Sequence, residues 1–322
     1  MKNLKKWNYS YSLLAVLAVL ILVIEFASGG KLLTVNSLTN MASQMPELGI
    51  LSIGMFVVIL TAGIDLSITY LASLAGVCSA FVLRWGNQKE MNLVFLFLLA
   101  FLAAFLVAMA GGILNGIVVA KIGVHPVLAT IGSYTLFYGI ANVLTSGSAV
   151  SGFPKEYRLI GKGKLFGFLP VPLVIFAAVV AVAYIMLDKT VWGRSVYMLG
   201  SNAKAARYSG IDTLKVNFKV YLFSAFFAFV AAVVMTGRYS SAKSDLGSSY
   251  LLKSVAVAVL GGTNMAGGEG SLKGVVIAAC IIQVIGTGVS MLGLSSYFTD
   301  ILVGVILLGV LLIKHSGKTK QR

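Results

Sequence analysis

The chain has 322 residues, 58% of them hydrophobic and only 11% charged, with a net charge of +15 and a mean hydropathy of +0.95. Soluble domains carry about 25% charged residues, so a water-facing globule is excluded for want of charged surface. Nucleic acid is not the partner that +15 suggests, because the Lys and Arg residues sit in short runs between apolar segments, where they orient membrane spans.

The predicted fold is all-α: a polytopic bundle of about ten transmembrane helices in one transmembrane domain over residues 1–322, solvated by membrane lipid. Apolar runs such as Leu13–Ile24 and Leu93–Met109 are continuous and exceed the about 9–11 alternating residues of a membrane strand. The first span, 12–28, follows Lys2, Lys5 and Lys6. It leads into Glu25 and a Gly-Gly-Lys turn rather than a small-residue cleavage site, so it reads as retained. Spans 47–63 and 66–83 flank Gly63-Ile64-Asp65-Leu66-Ser67. An acid beside hydrocarbon is costly and therefore a functional candidate. Capping of the third span by Asp65 is the favoured reading, since a carboxylate suits a helix N-terminus. Gly63, Asp65 and Ser67 are then a structural motif.

The fourth span, 93–120, is long enough to be tilted or broken near Gly111-Gly112, and it carries Asn115. On the fifth, 124–145, Thr130, Tyr134, Tyr138 and Asn142 recur every fourth residue, one helical face. A basic loop follows with Lys155, Arg158, Lys162 and Lys164, then the sixth span, 171–187. The next loop is more basic, with Lys189, Arg194, Lys204, Arg207, Lys215 and Lys219. Within it Asn202 is placed to cap, and Gly210 to end, a short helix over Ala203, Lys204, Ala205, Ala206 and Arg207. The three alanines permit close approach to a partner.

The seventh span is 216–237, and the eighth, 251–262, is too short to cross and reads as a half-helix. Gly261, Gly262, Gly267, Gly268 and Gly270 follow it in a glycine-rich segment that predicts a tight re-entrant turn. It is no phosphate loop: G-x-x-x-x-G-K-[ST] occurs nowhere in the chain. The ninth span, 272–292, carries Gln283, Thr287 and Ser290 on one face, and the tenth is 298–313. Uncharged stripes like those of spans five and nine face a bundle interior or a wet pathway. With Asn115 they form the candidate lining for a polyol, interhelical bonding being the alternative.

Both termini and the 188–215 loop are expected in the cytoplasm, because Lys2, Lys5 and Lys6, the middle loop, and Lys314, Lys318, Lys320 and Arg322 fall on one side of ten spans. Only the 155–164 loop dissents. No catalytic constellation, metal cluster or cofactor site is expected. Cys78 and Cys280 lie in apolar runs, and acid pairs for proton coupling are missing from the predicted spans.

In order along the chain stand Gly54-Met55, the run 59–67 ending Gly-Ile-Asp-Leu-Ser, Leu114-Asn-Gly through Lys121, and Ala129-Thr-Ile-Gly132. Then come Gly193-Arg-Ser-Val-Tyr197, the run 202–211, Ala256 through Thr263, and Gly267-Gly-Glu-Gly-Ser271. Together these motifs make the chain resemble the permease subunit of bacterial ribose-type ABC importers over nearly its whole length. The resemblance implies a multi-pass protein of the bacterial inner membrane, paired with a second copy or a paralogue. It implies a cytoplasmic ABC ATPase that meets the 202–210 helix, an extracytoplasmic sugar-binding protein, and no cofactor or nucleic acid. Three stretches depart from the family pattern: Ile68-Thr69-Tyr70, Leu252-Lys253-Ser254 and Ser244-Asp245-Leu246-Gly247. The last is closer to permeases for a furanose-like quorum signal, so ribose and such a signal both stand. An ion-gradient-driven sugar carrier is the alternative class.

Overall fold

The computed structural model describes residues 2–319, and the side chains of residues 9–310 and 312 among them. The terminal Lys2, Lys5, Lys6, Lys314, Lys318, Lys320 and Arg322 of the topology argument lie outside the described side chains.

The helices are α1 (Lys2–Ala27), α2 (Val35–Leu60), α3 (Ile68–Gln88), α4 (Leu93–Gly116) and α5 (Pro126–Thr145). The strand β1 (Val150–Ser151), the one-turn α6 (Arg158–Lys162) and the β2 (Lys164–Leu165) and β3 (Leu169–Pro170) pair precede α7 (Val171–Tyr184). Then come α8 (Val191–Ser201), α9 (Ala203–Tyr208), α10 (Thr213–Tyr239), β4 (Ser241–Ala242), α11 (Leu251–Leu260), α12 (Leu272–Met291) and α13 (Ser296–Thr319). β4 pairs antiparallel with β1.

Eight of the described helices are long and apolar enough to cross a membrane. The segment Ser248–Leu260 is a shorter apolar helix, as the half-helix reading of the eighth span anticipates. Helices α2, α3, α4 and α10 form the packed centre, with α1 outside against α12 and α13 against α11 and α12.

Polar residues start the helices where the chain must satisfy free N–H groups. Asn92 accepts from Val94 and Phe95 N at the head of α4, and Ser271 accepts from Gly274 N at the head of α12. Asp212 accepts from Lys215 N at 3.0 Å at the head of α10. That bond and the adjacent Lys215 side chain hold the exposed Asp212 carboxyl below its usual value.

Three sequence expectations need correction. First, α4 runs unbroken through Gly111-Gly112, and the irregularity is a π turn at Ile117–Lys121. The two glycines serve packing instead. A Cβ on Gly112 would stand 2.5 Å from Ala225 Cβ and 3.1 Å from Tyr221 O, so Gly112 lets α4 lie directly on α10, while Gly111 makes room for Leu71 of α3 and Phe137 of α5. Second, the basic loop after the sixth span is largely helical. Thr190 caps α8 through Gly193 N, and α9 follows after the single extended residue Asn202. Third, α2 begins at Val35, twelve residues before the expected boundary at 47. The early part, Val-Asn-Ser-Leu-Thr-Asn-Met-Ala-Ser-Gln, is too polar to read as a span, yet it is helical.

Candidate functional site

The α9 end of the molecule is a close-packed junction. Asn202 Oδ1 accepts from Ala205 N at 3.0 Å, which caps α9 as expected. At the other end Gly210 N reaches Arg207 O and Ile211 N reaches Ala206 O, both at 3.1 Å, with Gly210 at φ +80°. This paired closure needs a left-handed residue, hence glycine. The six-residue helix is therefore rigidly framed. Its alanines do not act alike: Ala203 and Ala205 are exposed, but Ala206 is buried at 2% and belongs to the chain's own packing. Tyr208, which sequence reasoning passed over, is 93% exposed.

The glycine-rich turn packs against the end of α8, just before this helix. Gly268 N donates to Leu60 O at 2.9 Å, at the end of α2. A Cβ on Gly268 would lie 2.2 Å from Ser201 Oγ, and one on Gly200 would lie 1.8 Å from Leu60 O. Gly262, Gly267 and Gly268 all have positive φ, and Gly261 and Gly270 press on Val275 and the Phe56 ring. The α8–α9 pair, the 261–271 turn and the end of α2 thus meet backbone against backbone.

Beside this junction lies a buried polar knot. Asp65 does not occupy the N-cap position, which Ser67 holds, but its Oδ1 accepts from Ser67 N at 3.0 Å and from Ser67 Oγ at 2.6 Å. Its Oδ2 accepts from Ser224 Oγ of α10 at 2.8 Å, while Asn115 Nδ2 of α4 donates to Ser67 Oγ at 2.7 Å. Thr130 Oγ1 of α5 lies 2.9 Å from the Ile64 and Pro126 carbonyls. Asp65, Ser67, Asn115 and Thr130 are all buried. Gly63 packs its backbone near Tyr221 and Pro126. The knot ties the α2–α3 break to three helices. Replacing Asn115 with leucine is expected to cost about 1–3 kcal/mol, because Ser67 loses a charge-linked partner in a dry site. Thermal unfolding in detergent reads it; an unchanged midpoint would show the bond to be dispensable.

At the opposite end of α10 a groove opens. Asn36, Thr39, Asn40, Ser43 and Gln44 form a polar stripe on the early part of α2, at the i, i+3, i+4, i+7, i+8 spacing of one helical face. They line two adjoining cavities of about 610 and 410 Å³, which share Asn40, Gln44 and Arg238. Gln283, Thr287 and Ser290 of α12 line the second, where Gln283 Nε2 donates to Gln44 Oε1 at 3.3 Å and to Thr287 Oγ1 at 3.1 Å. The stripe ends on Glu47, wholly buried mid-helix, with Arg238 Nε 2.9 Å from its Oε1 and the Tyr250 hydroxyl donating to its Oε2. The sequence reading, which looked for acid pairs and His chains, did not anticipate this acid–arginine pair. It was missed because Glu47 was placed at a span boundary. Lys253 pairs with Asp300 at 3.0 Å in the same region.

The two predicted stripes do not share one wall. On α5, Tyr134 packs tilted and Tyr138 edge-on against Tyr70, with ring centroids 4.3 and 5.5 Å away, and Asn142 Oδ1 accepts from Ser244 Oγ at 2.7 Å. These four α5 residues, with Asn115, line neither groove cavity, whereas the α12 set lines the second. Among the described residues no group of His, Cys, Asp and Glu could hold a metal ion.

Comparison with known proteins agrees with this geometry. The family model described as "Branched-chain amino acid transport system / permease component" matches residues 37–311. The ribose import permease protein RbsC of Escherichia coli (strain K12) is 36% identical over 315 residues, 97% of this chain and 95% of that protein. RbsC of Bacillus subtilis (strain 168) is 31% identical over 299 residues, 92% of this chain and 90% of its own. The autoinducer 2 import system permease protein LsrD of Photorhabdus temperata is 31% identical over 308 residues, 94% and 89% of the two chains.

Proposed function

We infer that this chain, which belongs to the family of branched-chain amino acid transport system permease components, is the permease subunit of an ATP-driven importer in the bacterial cytoplasmic membrane. Its substrate is a ribose-like sugar or a furanose-type quorum signal, the classes named for its relatives. The observation that carries the reading is the pairing, in one multi-span chain, of a braced and exposed basic helix at one end with a groove rich in amides and hydroxyls at the other. Polar residues inside spans belong on a wet pathway. Amides and hydroxyls suit a polyol; the Glu47–Arg238 and Lys253–Asp300 charges are paired, and Lys162 and Lys164 add positive charge at the larger groove cavity.

In this reading the chain hydrolyses nothing. Energy comes from a separate cytoplasmic ATPase that docks on α9, a second permease copy or paralogue completes the pathway, and an extracytoplasmic binding protein delivers substrate. Ala203, Ala205, Lys204, Arg207 and Tyr208 face the ATPase, and Asn202, Ala206 and Gly210 hold the helix in shape. Closure of the ATPase moves α9, and the junction at Gly200 and Gly268 hands that motion to α2, whose other half lines the groove. A conformational equilibrium shifts only through such differential contacts.

Two experiments test this. Cysteine at Ser209 is expected to resist an impermeant thiol reagent in intact cells, and ready labelling would reverse the orientation. Tyr208→Glu is expected to insert normally but lose ATPase association by about tenfold or more, read by co-purification; undiminished assembly would remove α9 from the interface. The buried Glu47 gives one argument for a proton-coupled carrier instead. Proteoliposomes holding this chain alone decide it: uptake driven by an ion gradient without ATP would establish the carrier.

A further inference from the structure

One further cavity is not part of the groove. It is a trough of about 820 Å³ between α1, α7 and α12, beside the glycine-rich turn. Its walls are apolar, built from Ala177, Val180 and Ala181 of α7 and Val276 of α12. Tyr184, Asp188 and Lys273 mark its polar mouth, and Lys189 stands over the Tyr184 ring, 5.6 Å from the centroid. The geometry points to a bound phospholipid with an anionic headgroup, its hydrocarbon chain in the trough and its phosphate between Lys189 and Lys273.

Size selects hydrocarbon over protein. From Ala177 to Asp188 the trough follows α7 and the π turn Ile185–Lys189 after it for about 16 Å, at about 1.5 Å per residue. A volume of 820 Å³ over that length leaves a mean cross-section of roughly 50 Å². A helix about 10 Å across needs roughly 80 Å², so a helix from a second copy could not seat fully in the trough. An extended hydrocarbon chain, about 4 Å thick at van der Waals contact, fits once or twice. The small side chains of Ala177 and Ala181, both exposed, are what leave the room.

Charge selects the headgroup. One carboxylate, Asp188, faces the mouth, close enough to Tyr197 to act on its hydroxyl. Two exposed ammonium groups, Lys189 and Lys273, stand against it. The sum favours an anion, and basic pockets between spans bind acidic lipid heads. Tyrosines and long lysines at one level are also what a membrane–water boundary collects.

The test uses the full chain reconstituted in vesicles of phosphatidylglycerol and phosphatidylethanolamine in equal amounts, extracted in mild detergent, and read by native mass spectrometry. Wild type is expected to keep bound phosphatidylglycerol through detergent exchange in preference to phosphatidylethanolamine. Ala181→Trp fills the trough, and Ala177→Trp fills it one turn away. Each should lower retained lipid by about tenfold, and Lys273→Glu should erase the preference while leaving the fold intact by circular dichroism. Wild type that retains no lipid would overturn the proposal, as would equal retention of both lipids or undiminished retention by both tryptophan variants. So would a protein dimer that the tryptophans dissociate, which would assign the trough to a second copy.

Discussion

Gly200→Ala is expected to destabilise the protein by about 2–6 kcal/mol and to separate ATP hydrolysis from uptake. The new Cβ would lie 1.8 Å from Leu60 O and 2.5 Å from Gly268 N, both backbone atoms with no rotamer to escape into. Those same two atoms form the 2.9 Å bond that fixes the glycine-rich turn to α2. To reach ordinary contact α8 must retreat by more than an ångström, which breaks the bond and loosens the packing around it. An unmet buried donor or acceptor costs about 1–3 kcal/mol and overpacking a further 1–3 kcal/mol. Gly132→Ala on α5 is the control, since nothing lies within 4 Å of its Cβ position. Alanine in a helix interior there should be neutral or stabilising by up to about 1 kcal/mol. Thermal unfolding in detergent reads the stability of both. ATP-driven uptake in proteoliposomes with the ATPase and binding protein reads the coupling. A Gly200→Ala protein as stable and as well coupled as Gly132→Ala would show that the junction does not carry the motion.

The sequence makes some parts of this molecule plain and hides others, for physical reasons. Continuous apolar runs leave little choice but spanning helices, so α3, α5, α10 and α12 lie within a few residues of expectation. The α9 frame was equally legible, because a capping Asn202 and a left-handed Gly210 act through local backbone chemistry. The first half of α2 was not. Asn36, Asn40 and Gln44 lower its hydropathy, and hydropathy cannot tell a helix lining a wet groove from a loop in water. Glu47 therefore looked like a boundary residue, and Arg238, 191 residues away in sequence, could not be recognised as its partner. The stripes on α5 and α12 were visible as periodic patterns, but periodicity names a face without naming its neighbour. Only the packing shows Tyr134 and Tyr138 against Tyr70, and Gln283 against Gln44. The Gly111-Gly112 pair carried a similar ambiguity, since glycine marks both breaks and close approaches.

Removing Arg238 alone is expected to be the most damaging single change in the groove. Glu47 is wholly buried, and its charge is balanced by Arg238, itself largely covered. Arg238→Met leaves an uncompensated carboxylate in a low-dielectric site, at a cost of about 3–5 kcal/mol. Glu47→Met strands the guanidinium, which reaches the groove and so suffers less. The double variant Glu47→Met, Arg238→Met removes both charges at similar volume, and such exchanges are often neutral or stabilising. Tyr250 would then lose its carboxylate and keep only the Tyr239 hydroxyl, 3.3 Å away, a residual cost of about 1 kcal/mol. Thermal unfolding should therefore place the double variant well above Arg238→Met. Uptake divides the two roles the pair could have. If it only knits α2 to α10 and α11, transport returns with stability in the double variant. If Arg238 is part of the shared wall that a polyol passes, the double variant folds and yet transports poorly, because methionine offers no donors to hydroxyl groups. The second result is expected, since Arg238 lines both cavities and the amides of Asn40 and Gln44 stand with it there. Full recovery of uptake in the double variant would confine the pair to a structural role and leave the pathway to the uncharged stripe alone.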